Sequence, residues 1–400
     1  MNNIVKRVVS EQTYDRLWHC YYKFWERLFS LFPIKPNKVL ITSYYGGDYG
    51  DNGKCIAEEL LKQEPGLDLV WAIRKDRMEQ HHLPDSIRAV PYYTPRGIYE
   101  LQTAAVWIDN ARKAYGTKRK GQYYLQTWHG GPGMKRVEQD VAEELGPRYV
   151  ELAKKDSAMC DLIMSNSRFM TELYHRAFWY DGAIEEQGSP RNDALVNGNP
   201  QVCRKVRSFW GLSEDTRLIL YAPTFRKDKR LDVYNLDPQR VIRAMEQRFG
   251  GHYALLVRLH PNISDKADLI QTDGKTVCNA TVYPDMQELL VASDCLITDY
   301  SSSNFDFSLT GKPVFLYATD IEEYRQNRGY YFGFDEMPFP IARSNEELEK
   351  LISSFEPAVY QAGVEAFHQR LGVRETGHAA ELAAKHILAH LRREPSQTLS

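Results

Sequence analysis

A histidine that follows a β-patterned run and precedes glycines is placed to do proton chemistry. His129 stands in YYLQTWHGGPGMK, with Gly130 and Gly131 directly after it, so a ligand could come close to the backbone while the imidazole points into a crevice. Such a group is a candidate general base, worth on the order of 10² to 10⁴ in rate. Asp140, further along the same loop, is the carboxylate expected to fix its tautomer. The plainer alternative is a histidine satisfied within its own turn.

Three other loops carry groups with chemical reach. In TDYSSSNFD an apolar run leads straight into a helix that starts with serines, and the free amides of that turn together with the Ser301 and Ser302 hydroxyls suit an anion. Asp306 lies one turn further on, where it suits a polyol hydroxyl. RLHP, ending at Pro261, sets Arg258 and His260 on either side of Leu259, so that both face one side of a strand end and suit a pyrophosphate. APTFRKDKR offers Arg226, Lys227, Lys229 and Arg230, of which Arg226 is expected to turn inward and the rest to face solvent. Arg191, in GSPRND, stands where it could reach a ligand across a cleft.

Several classes are excluded. No GxxxxGKS, GxSxG or HExxH occurs, which disfavours a P-loop NTPase, an α/β hydrolase and a zincin. Asp299 and Asp306 could take Mg²⁺, but no DxD pair is present, so the simpler expectation is a mechanism run by His and Arg without a cofactor, with Mg²⁺ left open. The six cysteines form no CxxC and read as reduced thiols. With 51 Lys and Arg against 53 Asp and Glu, the net charge of −2 argues against a general nucleic-acid binder. Neither a signal peptide nor a run of about 18 apolar residues is seen, so the protein is expected to stay in the cytoplasm and span no membrane.

The elements that must position these loops alternate along the chain. KVLIT, LDLVWAI, AVWIDNA, YYLQTW and DLIMS read as strands of one α/β half, and RLILY, YALLV, TVCNA, CLITD and KPVFLY as strands of a second. Strand, loop and helix in succession predict parallel sheets whose ligands lie at the carboxyl ends of the strands. A linking helix over 200–212 puts the boundary between the halves near 190–215. The expected division is an amphipathic helix in 1–36, a first domain over 37–200 and a second over 201–400 that includes the closing helices, with only PSQTLS at the end looking frayed.

Within 14–32, Trp18, Tyr21, Tyr22, Trp25, Leu28, Phe29 and Phe32 recur at three and four residues with cations between them. Residues 1–38 hold seven Lys and Arg, Lys6 and Arg7 included, against three acids, a local charge of +4. An aromatic face beside cations suits an anionic membrane surface; the other expectation is a helix packed on the protein's own core. Pro33 and Pro36 end it.

Taken in order, TWHGGPGMKRVEQD, GSPRND, YAPTFR, RLHP and ITDYSSSNFDFSLTGKPVFLY resemble the motifs of the CDP-glycerol glycerophosphotransferase family, which builds teichoic acids and related capsule polymers; the likeness runs from about Tyr123 to Phe334. The resemblance implies a GT-B fold of two facing Rossmann-like domains, with the donor mainly in the C-terminal one. It implies a CDP-glycerol or related CDP-alcohol donor, attack by an acceptor hydroxyl on the phosphorus bearing the glycerol, and departure of CMP. By the same likeness His129 is the base; Arg226, Arg258, His260, Ser301 and Ser302 hold the pyrophosphate; and Arg191, Pro223, Thr224 and Asp306 match donor-contacting positions. One departure is HGGPGMK where the family has HGTPLK. The acceptors implied are lipid-linked saccharides at the cytoplasmic face of the membrane, to which the enzyme would attach peripherally. A GT-B glycosyltransferase using a nucleotide sugar, and a non-catalytic membrane-bound assembly subunit, stand as alternatives.

Overall fold

The computed structural model describes residues 11–80, 83–131, 133, 135–226, 233–260, 263, 272–326 and 329–392. Lys6, Arg7, Pro132, Met134, Lys227, Lys229, Arg230, Pro261 and the PSQTLS end, all named above, lie outside the described residues.

Two parallel sheets carry the chain. The first joins β1 (Lys35–Thr42), β2 (Asp68–Ile73), β3 (Ile87–Pro91), β4 (Ala104–Asp109), β5 (Tyr123–Gln126), β6 (Leu162–Ser165) and β7 (Ala183–Glu186) in the order β3-β2-β1-β4-β5-β6-β7. The second joins β8 (Arg217–Tyr221), β9 (Tyr253–Val257), β10 (Val277–Asn279), β11 (Cys295–Thr298), β12 (Val314–Tyr317) and β13 (Ile341–Ala342) in the order β10-β9-β8-β11-β12-β13. In β1, Val39 lies opposite Leu69 and Val106, and Leu40 opposite Val70 and Trp107, so the central strand is apolar on both faces. The order reverses beside β1 and β4 in one sheet and beside β8 and β11 in the other. Those are the points where such sheets open a ligand crevice.

Helices cover both faces of each sheet. On one face of the first, Ile56 and Leu60 of the helix Asp51–Gln63 meet Val39, Ile41 and Trp71. On the other, Ile98 and Leu101 of the helix Pro95–Thr103 meet Leu40, Val70 and Trp107. A cation is buried in this layer: Lys38 is 0% exposed and donates to Glu100 and, at 2.8 Å, to Thr103, while Arg88 reaches Glu100 at 3.3 Å.

The assignment of 201–400 to the second half needs one correction. The last helix, Ala379–Leu391, turns Ala379, Ala383, Ala384, Ile387 and Leu388 into the core of the first sheet. The preceding helix, Pro357–Leu371, stays with the second through Tyr360, Val364 and Phe367. Residues 372–378 therefore cross back between the halves.

The N-terminal helix runs over Glu11–Phe29 and packs Tyr21, Tyr22, Trp25 and Phe29 against the first half. Tyr22 stacks on Tyr115 at 4.8 Å, and the carboxylate of Glu26 accepts from the Gly116 amide at 2.9 Å. The other side exposes Leu17, Phe24, Leu28 and Leu31, the last at 80%. The helix thus has two apolar stripes, one buried and one open. Among the described residues no helix is long and apolar enough to cross a membrane.

Candidate active site

The loop after β1 is pinned from several sides. Asn110 Oδ1 accepts from the Tyr44 amide at 2.8 Å, Gly46 O accepts from Arg74 N at 2.7 Å, and Asp48 O accepts from Trp71 Nε1 at 3.0 Å. At Gly46 (φ +73°) a Cβ would stand 2.9 Å from Tyr92 Cβ, so this turn needs glycine. The loop then delivers Asp51 and Asn52 to the start of their helix.

Past β5, Trp128 takes φ 53° and places His129 beside this loop. His129 Nδ1 lies 2.5 Å from the backbone carbonyl of Asn110. A carbonyl only accepts, so Nδ1 carries the proton and Nε2 is left as the basic lone pair. Burial lowers the His129 pKa below its ordinary value of 6.5 and keeps the ring neutral near physiological pH. Asp140 does not orient this ring: its Oδ2 accepts from Tyr331 OH at 2.6 Å and pairs with Arg176 at 2.8 Å. The expected carboxylate is replaced by a main-chain oxygen, because the loop carries Asp140 away toward the 331 region.

Arg191 closes the base of the site. It follows β7 in a short turn and is 5% exposed. Its Nη1 donates to Asp51 at 2.8 Å and to the His129 carbonyl at 2.9 Å, and its Nη2 to Asp306 at 2.8 Å. Its amide donates to Asn52 Oδ1 at 3.0 Å, while Asn52 Nδ2 holds the Trp128 carbonyl at 3.0 Å. Arg191 is therefore engaged by two carboxylates and ties the halves together. Behind it, Glu375 accepts from Ser189 N at 2.9 Å, Asn192 Nδ2 at 2.7 Å and Asn166 Nδ2 at 3.1 Å. Burial pushes Glu375 up to about 8, with those three donors pulling the other way.

The second half supplies the facing wall. Arg226 is held by Asp320 at 2.7 and 2.9 Å and by Asp299 at 2.9 Å, with the mutually stacked rings of Tyr300 and Tyr324 beside it at 4.9 and 5.2 Å. It does turn inward, as expected, yet its charge is spent on carboxylates. Thr224, after buried Pro223, donates its amide to Asp299 at 2.8 Å. Arg258 donates to the carbonyls of Ala280 and Tyr283 at 3.0 and 2.5 Å, and burial lowers its pKa. Leu259 is buried, and the exposed ring of His260 lies 5.9 Å from Phe225. Ser301 Oγ accepts from Ser303 N at 3.2 Å, whereas the Ser302 side chain makes no cap bond to the short helix Ser303–Ser308. Asp306 shares its oxygens between Arg191 and Asn192, and a Cβ on Gly131 would lie 3.3 Å from Asp306 Oδ1. Gly130 faces open space.

His129, Gly131, Arg191 and Asp306 thus converge, and Thr224, Arg226 and His260 gather at the second switch point. Asp140 stays outside both groups. Asp51, Asn52, Asn110, Glu375 and Lys135 went unrecognised in the sequence. Lys135 follows the glycine loop and places its ammonium 5.1 Å from the Tyr324 ring; the His260 pKa is lowered first by partial desolvation from the walls around a ring that still reaches solvent, and then by the Lys135 charge. Asp51 and Asn52 carried a signal, the polar GDYGDNGK turn at a strand end; Glu375 carried none.

A family model described as CDP-glycerol:poly(glycerophosphate) glycerophosphotransferase matches residues 24–388. The teichoic acid poly(glycerol phosphate) polymerase of Staphylococcus epidermidis is 31% identical over 363 residues, covering 87% of this chain and 50% of that one. The teichoic acid glycerol-phosphate transferase of Staphylococcus aureus is 28% identical over 401 residues, covering 95% and 98%. The solved structure of the wall teichoic acid polymerase TagF superposes with a TM-score of 0.81 at 28% identity, over 96% of this chain and 99% of that one. The chain spans about half the length of the two polymerases it matches first.

Proposed function

The chain belongs to the CDP-glycerol:poly(glycerophosphate) glycerophosphotransferase family, and from that premise we propose that it transfers glycerol phosphate from CDP-glycerol to a hydroxyl of a lipid-linked saccharide or polymer. The observation that carries the reading is the His129–Asn110 contact, which leaves Nε2 free to take a proton. Nε2 removes the proton of the acceptor hydroxyl; the oxygen bonds to the phosphorus bearing glycerol; the bond from that phosphorus to the bridging oxygen breaks, and CMP leaves with the electron pair. Lys135, His260 and the amides ahead of the helix Ser303–Ser308 face the developing charge, and a preorganised donor of this kind is worth about 10² to 10³ in rate.

No metal enters this scheme, so EDTA should leave the rate unchanged. The acceptor would be met at a membrane surface: the open stripe of Leu17, Phe24, Leu28 and Leu31 runs beside Lys23 and Arg27, the pattern of a helix lying in an anionic interface. The deciding assay offers the protein CDP-glycerol, CDP-ribitol and UDP-sugars with a lipid-linked acceptor and follows the released nucleotide. CMP from CDP-glycerol is expected; UDP in its place would reject the reading.

A further inference from the structure

Among the described residues, seven other than glycine hold a positive φ: Tyr44, Tyr45, Asp51, Tyr93, Trp128, Glu138 and Trp179. Four of these, Tyr44 (47°), Tyr45 (57°), Tyr93 (61°) and Trp128 (53°), are aromatic and stand just past the carboxyl ends of β1, β3 and β5. Bulky residues are strained in this region, and such strain persists where the surroundings over-determine it, which is typical of functional sites. The pinned turn after β1 is such a surrounding.

The rings border the base. Tyr44 lies edge-on to His129 at 5.4 Å and Trp128 lies against it at 4.4 Å. Tyr44 and Tyr45 remain 36% and 39% exposed, while Tyr92 and Tyr115 behind Tyr93 are buried at 4% and 7%. The Tyr44 hydroxyl is fixed by Asp51 at 2.7 Å. Tyr45 makes no hydrogen bond through its hydroxyl among the described residues. Burial, then Asp109 and Tyr93, push its phenol up to about 12, so it stays a neutral donor.

Charge decides what would rest there. The charged groups that act most on the Tyr45 phenol are the carboxylates Asp109, Glu138 and Asp156. Those carboxylates already hold their cations, Lys113 on Asp109 at 2.9 Å and Arg112 on Glu138 at 2.9 Å and Asp156 at 3.2 Å. Arg74, beside Tyr93, pairs with Asp76 at 3.2 Å. A phosphate-rich chain finds little to hold it. A sugar ring, with one apolar C–H face and a rim of hydroxyls, matches aromatic faces that carry a free phenol. We propose that Tyr44, Tyr45 and Tyr93 form an aromatic platform that seats a saccharide ring of the acceptor beside Nε2 of His129. This rests on the function proposed above, since it deepens the same site.

The test is calorimetric binding to the full chain of two probes, a short-alkyl diphosphate-linked disaccharide and a glycerol phosphate oligomer. Tyr45→Ala is expected to weaken the disaccharide at least about tenfold, which is 1.4 kcal/mol, and Tyr45→Phe to stay within about threefold. Tyr45→Asn, which tolerates a left-handed backbone, should match Tyr45→Ala if the fold is kept. Oligomer binding should be the same in all four proteins. Failure of the wild-type chain to bind the disaccharide, unchanged affinity in Tyr45→Ala and Tyr45→Asn, or equal loss for both probes would overturn the platform. CMP release is measured apart from these titrations, so its absence would reject the transfer reaction without bearing on the sugar contact.

Discussion

Arg191 Nη2 donates to Asp306 at 2.8 Å, and this bond links the turn after β7 in one sheet to the helix after β11 in the other. The same guanidinium holds Asp51 and the carbonyl of His129. One side chain therefore sets both the position of the base and the seam between the halves.

Removing that cation leaves two buried carboxylates without a counter-charge, with only neutral donors on them: Tyr44 and Asn52 on Asp51, and Asn192 on Asp306. Arg191→Ala should lower unfolding stability by about 3–5 kcal/mol, and Arg191→Lys should recover only part of it, because an ammonium cannot fork to two acids. Denaturant titration measures this; an unaltered midpoint in Arg191→Ala would contradict the keystone role.

In the proposed transfer the neutral form of His129 is the active one. Because burial lowers its pKa, kcat/KM should fall as pH drops through a value below the ordinary 6.5 and be level above it as far as this group is concerned. His129→Ala should lose on the order of 10² to 10⁴ in CMP release while CDP-glycerol still binds. A pH–rate profile with its acid limb at or above the ordinary histidine value would argue against a buried base.

Asp140 is bonded to Tyr331 and Arg176. Asp140→Asn should leave the acid limb of the profile where it is and change kcat by less than about threefold, well short of the general-base effect. A shifted limb in this variant would restore the carboxylate to the histidine.

Lys38 has no route to solvent. Glu100→Ala strands it and should cost about 3–5 kcal/mol, while the double change Lys38→Met with Glu100→Leu should cost much less. Thermal melts of the two proteins compare them directly; equal losses would mean that packing, rather than charge, dominates at this position.

For the N-terminal helix, Phe24→Ser together with Leu31→Ser removes the two most exposed members of the open stripe and leaves Tyr22, Trp25 and Phe29 packed. Sedimentation with anionic vesicles should fall several-fold, in keeping with about 25 cal/mol per Å² of apolar surface lost, with the melting temperature unchanged. Retained sedimentation would confine the helix to a structural part.

Hydrophobic patterning is local, and what depends on it was legible in the sequence. Runs such as KVLIT and CLIT announced strands buried on both faces, their alternation with helical segments announced two parallel sheets, and the polar residues after them announced a ligand edge. Family motifs assembled from those same strand ends pointed to a CDP-glycerol transferase. His129 was visible because a glycine pair behind a strand is itself a short-range signal.

What the tertiary structure decided is which groups meet. The partner of His129 is a carbonyl nineteen residues back, just past the end of the neighbouring strand, and no spacing rule marks a backbone oxygen. Arg191 and Arg226 look alike in sequence to any phosphate-binding arginine, yet the fold surrounds each with carboxylates from far along the chain. The last helix returns to the first sheet because its alanine-rich face fits the helix Asp51–Gln63 and the strand β4, a match of shape that periodicity does not carry. The N-terminal helix shows the same division: its three- and four-residue pattern revealed apolar surface, and only packing determined that the aromatic stripe turns inward while Leu17, Phe24, Leu28 and Leu31 stay open. Contacts of this kind are settled by the summed burial of two surfaces in space, and a single chain read in order does not contain that sum.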